Sequence, residues 1–380
     1  MPYLTWPGKK PPSTNRLAPP IVHEQWGPHP VHSLHCGDNL EWLQDLNSKD
    51  TKVDLIYLDP PFCSQANYEQ HFDLASGRKT VSAFTDVLSV NNFLQFIYER
   101  IWFLHNLLAE KGSIFLHCDH QQSHHIRMIM DEIFGASQFR NEIIWHYTGG
   151  GRSKRYFSRK HDSIFWYSKT NDWTFNSDNI RVPYKKSSGY AKGGIRSKSG
   201  KIYKPNPKGT IPDDTWDIPM LNPLAHERTG YPTQKPQKLL DRIILAASNP
   251  EDLVMDPFMG SGTTAVSCAT HNRRFIGADQ NWNSLHCTQR RLLKLETELS
   301  TTYSHIKTPI IKHMNLGKDG NIIQTLDKEQ HSVEFQDVRY LSSNRSWTTH
   351  WVSDVELIRI VALDGSFSDF RCNNGTWILV

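Results

Sequence analysis

Two rhythms of apolar residues alternate along most of the chain. Continuous apolar runs of strand length occur in KVDLIYLD, KGSIFLHC, FRNEIIWHY, DLVMDPF and RRFIGAD. Short runs of this kind, bounded by polar residues, mark strands buried on both faces of a sheet. Between them Phe93, Phe96, Ile97, Ile101, Leu104 and Leu108 recur at helical spacing, as do Leu239, Leu240, Ile243, Ile244 and Ala247. SHHIRMIMDEIF and SLHCTQRRLLKLETEL are two more predicted helices, the first with Gly135 placed as its C-cap. VHSLHCGDNLEWLQDL reads as a strand followed by a helix from Asn39. Strands alternating with helices predict an α/β fold with a doubly wound, Rossmann-like, mostly parallel sheet.

Three stretches break the alternation. Residues 1–30 are rich in proline and read as an irregular or extended arm. Residues 63–90 are polar with few periodic apolar positions, and read as a loop. Beyond about residue 307 the texture turns to short strands in SVEFQDVRYL, HWVSDVELIRIVAL and GTWILV, a separate β-rich appendage. The expected division is therefore a Pro-rich arm (1–30), a first half-domain (31–148), an irregular or β-rich insert (149–222), a second half-domain (223–306) and the appendage (307–380).

Charge changes the picture of the insert. The chain of 380 residues carries a net charge of only +4. Between Gly150 and Lys208 stand fifteen Lys or Arg against three acids, interleaved with aromatic residues. Signs segregated in this way predict a face for a polyanion, with Arg152, Lys154, Arg155, Arg159, Lys160, Lys185, Lys186, Lys192, Arg196 and Lys198 as nucleic-acid contacts. No apolar run is long enough to span a bilayer and the N-terminus has no apolar signal core, so a cytoplasmic location is expected. The six cysteines form no C-x-x-C pair, which fits free thiols in a reducing compartment.

LVMDPFMGSGTTAV predicts strand, glycine turn and helix. Gly260 and Gly262 allow a ligand to approach the backbone, and the helix opened by Thr263 and Thr264 offers free N–H donors. Asp279, about twenty residues on, ends the next strand, where an acid accepts from ribose hydroxyls in this architecture. A phosphate-binding G-x-x-x-x-G-K-[ST] is absent and Asp256 would repel phosphate. S-adenosylmethionine, with ribose, adenine, positive charge and no phosphate, fits this pattern as cofactor.

DLIYLDPPF ends a strand on an acid followed by two prolines. Proline holds the backbone rigid. Ligands of open α/β sheets bind beyond the carboxyl ends of the strands, so Asp59 and Asp256 are expected on one edge. A fixed backbone lets the Asp59 carboxylate and the Pro60 carbonyl face one exocyclic amine, while Pro61 stiffens the turn and Phe62 offers a face for a base.

DPPF, DPFMGSGTT and YPTQKPQKLLDRI, in that order, resemble the β group of circularly permuted DNA amino-methyltransferases, over about residues 32–295. The resemblance implies that Asp59, Pro60, Pro61 and Phe62 are catalytic. It places Asp256, Phe258, Gly260 and Gly262 at the methionine end of the donor, Asp279 at the ribose and Asp38 near the adenine, with Ser261 and Thr263 also binding the cofactor. It sets Thr233, Gln234 and Lys235 in a segment closing over the donor, and the insert as the target-recognition region. It implies double-stranded DNA as substrate, base flipping, a restriction-modification or solitary setting, and leaves open a homodimer and a cognate restriction endonuclease.

Asp59 in the first motif position favours adenine N6, with cytosine N4 as the alternative; an inactive methylase core serving as a DNA-binding module is a third reading, of another class. No metal site is expected. His117, His120, His124 and His125 in HCDHQQSHH lack the H-E-x-x-H pattern, and are read as a solvated or DNA-facing strand terminus. A cysteine nucleophile of the cytosine-C5 type would want a P-C dipeptide, which does not occur.

Overall fold

In a computed structural model the described residues are 3–13, 32–62, 89–148, 152–185, 187–222, 224–293 and 295. Backbone is also described for strands Ile21–Gln25, Ala66–Leu74, Gly77–Asp86, Leu299–Tyr303, His313–Leu316, Ile323–Leu326, Leu357–Val361, Phe367–Asn373 and Thr376–Leu379. The central elements are β1 (His32–Cys36), α1 (Asn39–Ser48), β2 (Val53–Leu58), α2 (Val90–Leu107), β3 (Leu108–Cys118) and α3 (Ser123–Phe134). They continue with β4 (Phe139–His146), β5 (His161–Ser168), β6 (Thr215–Asp217), α4 (Gln237–Ala247), β7 (Leu253–Asp256), α5 (Thr263–Thr270), β8 (Arg274–Asp279) and α6 (Trp282–Leu293).

The strands form one sheet in the order β1-β8-β7-β2-β3-β5-β4-β6, with Leu299–Tyr303 and then Ile21–Gln25 added beyond β1. Neighbours from β1 to β3 are parallel. β5 is antiparallel to both β3 and β4, so β4 again points with the parallel set. In β2 alternate side chains enter opposite layers. Leu55 and Tyr57 pack with α4 (Leu239, Leu240, Ile243), α5 (Ala265, Cys268) and α6 (Leu285). Ile56 and Leu58 pack with α1 (Leu43), α2 (Phe93, Ile97, Ile101) and α3 (Ile126, Ile129). Helices on both faces explain why these strands read as unbroken apolar runs, and the architecture is the doubly wound α/β sheet expected.

The winding reverses between β7 and β2. From β7 the chain passes through α5 to β8 on one side, and from β2 through α2 to β3 on the other. The crevice outside the carboxyl ends of β7 and β2 is the topological switch point, where such sheets bind ligands.

Several segments depart from the expected texture. Within the expected loop 63–90, Ala66–Leu74 and Gly77–Asp86 pair as an antiparallel hairpin; pairing rests on backbone groups that the polar side chains do not reveal. Within the expected insert 149–222, β5 is a strand of the main sheet, because HDSIFWYS is itself a buried apolar run. Within the expected irregular arm, Ile21–Gln25 pairs with Leu299–Tyr303. Trp6 is buried, and Lys9 lies 4.7 Å from the rings of both Trp6 and Tyr98 while bonding Glu132 at 2.7 Å. In the appendage Leu357–Val361, Phe367–Asn373 and Thr376–Leu379 form a three-stranded antiparallel sheet; the strand expected in SVEFQDVRYL lies outside the described residues. None of the described helices is long and apolar enough to cross a membrane.

Candidate active site

The parallel ladders bring three strand-end carboxylates to one edge. Asp256 is the last residue of β7 and pairs across with Gly277 of β8. Asp279 ends β8, and Asp59 follows β2 directly. All three line one cleft at the switch point, together with Asp38, Pro60, Pro61, Phe62, Thr233, Lys235, Phe258, Gly260, Ser261 and Thr263.

Burial sets the chemistry of this cleft. Asp256 accepts hydrogen bonds from the Thr264 hydroxyl and from the Phe258 N–H, the latter at 3.0 Å. Loss of water still pushes its pKa up to about 7, with the charges of Asp59 and Asp279 adding to the effect. Asp279 accepts from the N–H groups of Gly260 (3.0 Å) and Asn281 (2.8 Å), yet desolvation raises its pKa to about 6. A cleft holding three carboxylates rejects phosphate and suits a cationic ligand.

The glycine turn is built as a packing device. Gly260 has φ +49°, and a Cβ there would stand 3.2 Å from the ring of Tyr231. Gly262 has φ +75°, and a Cβ would stand 2.2 Å from the Thr288 hydroxyl of α6. Only glycine joins β7 to α5 in this way. Gly262 therefore serves the join of two helices and is not part of the cleft wall. Gln234 is likewise set back: it accepts from the Thr229 N–H at 2.8 Å and donates to the Glu227 carbonyl at 2.6 Å, which fixes the loop that presents Thr233 and Lys235.

Asp38 caps α1 by accepting from the Leu40 N–H at 2.8 Å, and pairs with Arg100 of α2 at 2.8 Å. Arg100 also donates to Asn39 at 2.6 Å, and Asn39 donates to the Pro257 carbonyl at 2.7 Å. Burial pulls the Arg100 pKa down to about 10, against the pull of Asp38 and Glu99. This chain ties the first half of the sheet to the turn after β7. Phe96 and Phe258 stand beside it, ring centroids 5.8 Å apart, as an aromatic wall.

At the other end of the cleft Lys235 forms an ion pair with Asp59 Oδ2, and its ammonium lies 5.9 Å from the Phe62 ring centroid. Asp59 Oδ1 is buried with no hydrogen-bond partner among the described residues. His117 Nδ1 lies 3.8 Å from it. His117, next to last in β3, is fully buried and bonded to the Tyr57 hydroxyl and to Asp162, each at 3.1 Å. It is thus neither solvated nor DNA-facing, unlike the exposed His120 and His124. No group of three metal-ligating side chains occurs among the described residues. Asp162, Arg100 and Asn39 carry no local signature of these roles, and the stretches that hold His117 and Tyr231 do not reveal their partners. His117 and Asp162 lie 45 residues apart and meet only because β3 and β5 pair.

The basic residues divide by position. Arg152, Lys154, Arg155 and Arg159 are exposed, and Lys160 partly buried, in the connection between β4 and β5. Because β4 points with the parallel set, this connection rises from the edge that bears the cleft. Lys185, Lys192, Arg196 and Lys198 are exposed further along, near the two-stranded pair Ile195–Arg196 and Ile202–Tyr203. Lys186 lies outside the described residues.

Residues 53–290 match the family N6_N4_Mtase, described as DNA methylase. The chain is 31% identical over 260 residues to the type II methyltransferase M.HpaI of Haemophilus parainfluenzae, covering 68% of this chain and 73% of that one. It is 31% identical over 258 residues to the DNA adenine methyltransferase YhdJ of Escherichia coli strain K12, covering 67% and 81%. It is 32% identical over 262 residues to the type II methyltransferase M1.MboII of Moraxella bovis, covering 66% and 91%. A strand-end D-P-P-F and a glycine turn meeting in one acidic cleft, with matches of this extent, place the chain in the N6/N4 family of DNA methylases.

Proposed function

We propose that the protein transfers a methyl group from S-adenosylmethionine to N6 of adenine in double-stranded DNA, at a specific sequence, as the modification component of a type II restriction-modification system. The observation that carries this reading is the meeting of Asp59, Asp256 and Asp279 in one cleft beside Phe62. The likeness to YhdJ and to two type II methyltransferases favours adenine and the restriction-modification setting.

The cleft fits the donor by the chemistry of its walls. Asp279 would hold the ribose hydroxyls, Phe96 and Phe258 flank the place of the adenine near Asp38, and Asp256 faces the cationic end together with Thr263 and the start of α5. Bound there, the donor supplies an electrophilic methyl group on a positively charged sulfur.

The target base must leave the helix stack to enter, which costs a few kcal/mol. Stacking on Phe62 offsets this by about 1–3 kcal/mol. In an adenine the amine lone pair is delocalised into the ring. Asp59 Oδ2 and the Pro60 carbonyl would take its two N–H groups as acceptors, freeing the lone pair to point at the methyl group. Lys235 occupies Asp59 Oδ2 in the free protein, so it yields that oxygen when the amine arrives. The prolines keep both acceptors in place, and positioning of this kind supplies much of the rate. The exposed cations of residues 152–160 and 185–198 hold the phosphates of the duplex. The protein acts in the cytoplasm, as a monomer or homodimer, alongside a cognate endonuclease.

Expression in a methylation-free host followed by long-read sequencing of its DNA tests the reading. N6-methyladenine at one sequence is expected. N4-methylcytosine would transfer the reading to the other amine. Unmodified DNA, from protein that still crosslinks labelled donor, would reduce the chain to a binding module.

A further inference from the structure

The Asp59 carboxylate faces two ways. One oxygen bonds Lys235, while the other is buried with no hydrogen-bond partner among the described residues. Behind it stands a second, closed set of groups. His117 Nε2 lies 3.1 Å from Asp162 Oδ2, and the Tyr147 hydroxyl donates to Asp162 Oδ1 at 3.2 Å. The ring is packed between Phe62, at 5.9 Å, and Trp145, edge-on at 5.4 Å. An Asp–His–Asp line therefore runs from the reacting end of the cleft to a carboxylate that is 17% exposed.

The protonation pattern follows from the partners. Burial works against the Asp162 carboxylate, but the bonds from His117 and Tyr147 and the charge of Lys235 outweigh it and hold its pKa below the ordinary value. An ionised carboxylate only accepts, so Nε2 of His117 carries the ring proton. Burial first, then the charges of Asp59, Asp256 and Asp162, keeps the Tyr57 phenol protonated, so it donates to Nδ1. The Nδ1 lone pair thus meets the Tyr57 phenol in the free protein, and opens to a proton from the side of Asp59 when that phenol turns away.

We propose that His117, held by Asp162, takes from Asp59 the proton that methylation releases from the target amine. This rests on the reading of the protein as an amine methyltransferase. When the amine nitrogen forms its bond to the methyl carbon, the broken C–S bond leaves its electron pair on sulfur. The nitrogen is then cationic and one N–H proton must leave. It passes to the cleft-facing oxygen of Asp59. Rotation of the carboxyl group turns that oxygen to His117, and Nδ1 accepts the proton as the Tyr57 hydroxyl swings off. The imidazolium stands between two carboxylates, and gives its Nε2 proton to Asp162 and so to water. His117 and Asp162 are positioning and relay groups acting through Asp59. The charged and titratable groups around them are Tyr57 and Asp59 beside β2, Asp119 after β3, Tyr147 after β4, Asp162 on β5 and Lys235.

The test is single-turnover transfer from tritiated S-adenosylmethionine to plasmid DNA from a methylation-free host, followed across pH. His117→Asn and Asp162→Asn each slow transfer about a hundredfold at neutral pH, keep donor crosslinking, and change the shape of the acid side of the profile. Spectra of the free protein labelled with 15N-histidine give a readout independent of turnover. The ring that vanishes in His117→Asn carries its proton on Nε2 in the wild type and loses that preference in Asp162→Asn. Wild-type profile shape in the variants, or a wild-type ring protonated on Nδ1 instead, overturns the relay. If His117→Asn does not fold, Asp162→Asn decides by the same readings. A wild-type protein that methylates no DNA speaks against the functional reading, whereas normal transfer by these variants speaks against the relay alone.

Discussion

Asp256 and Arg155 both belong to the catalytic edge of the sheet, and their surroundings are opposite. Asp256 is buried at the end of a central strand, takes two hydrogen bonds and has its pKa raised to about 7. Arg155 stands exposed in the connection after β4 and, like Arg152, Lys154 and Arg159, forms no ion pair with any described residue. The carboxylates of the cleft are held by ladders, turns and caps before any ligand arrives. The cations of the connection are hydrated and add little to folding. Chemistry is thus assigned to the preorganised part of the edge, and attraction of the polyanion to the part that stays in water.

The sharpest way to break this contrast is to remove the carboxylate at its reacting end. Asp59→Ala is expected to lower methyl transfer at least about a thousandfold, while labelled donor still crosslinks. It also leaves the largely buried Lys235 ammonium without its ion-pair partner, so a modest loss of thermal stability is expected beside the loss of transfer. Near-normal transfer in this variant would dissolve the distinction.

A smaller effect is expected from pH. Asp256 and Asp279 have pKa values raised by burial to about 7 and about 6, against about 3.9 in an unfolded chain. The native protein then binds protons that the unfolded chain has already released. Stability in the absence of donor should fall as pH rises from about 4 to about 7 and level off above, as a thermal scan will read. A cationic donor reverses the sense: its affinity should rise about tenfold across the upper part of that window. The demethylated product, with neutral sulfur, should show less of this rise in a calorimetric titration. Equal pH dependence for both ligands would mean that these carboxylates do not sense the sulfonium charge.

The smallest effects belong to the exposed cations. Lys185→Ala and Lys192→Ala should each weaken DNA binding a few-fold, uniformly across sequences, and each reduce the slope of log affinity against log salt by about 1. Melting temperature should not move. An unchanged slope would remove that lysine from the duplex contact.

Much of the frame was legible because it depends on local pattern. Apolar runs of strand length and helical stripes located β2, β3, β7, β8, α2 and α4, and an acid at a strand end announced Asp59, Asp256 and Asp279. What escaped depends on pairing. The hairpin Ala66–Leu74 and Gly77–Asp86 is joined through backbone groups in a polar sequence. The strand HDSIFWYS was hidden by averaging charge over the whole basic stretch. His117 was visible as a histidine, but its burial and its partners Tyr57 and Asp162 come from registers that align residues 60 and 45 positions apart. Gly262 and Gln234 looked like ligand contacts and instead hold the contacts' supports, since a spacing motif does not separate the two roles.

His146 and His161 are register partners on adjacent antiparallel strands. The Tyr147 N–H donates to the Lys160 carbonyl at 3.0 Å, and beyond that bond the described residues of the connection leave the sheet. Because both anchors of the excursion are bonded to each other, changes in the stretch 152–159 should leave the neighbouring ladder undisturbed, whereas Tyr147, which bonds Asp162, is tied to the interior of the sheet. The connection is thus free to vary at its tip and fixed at its root.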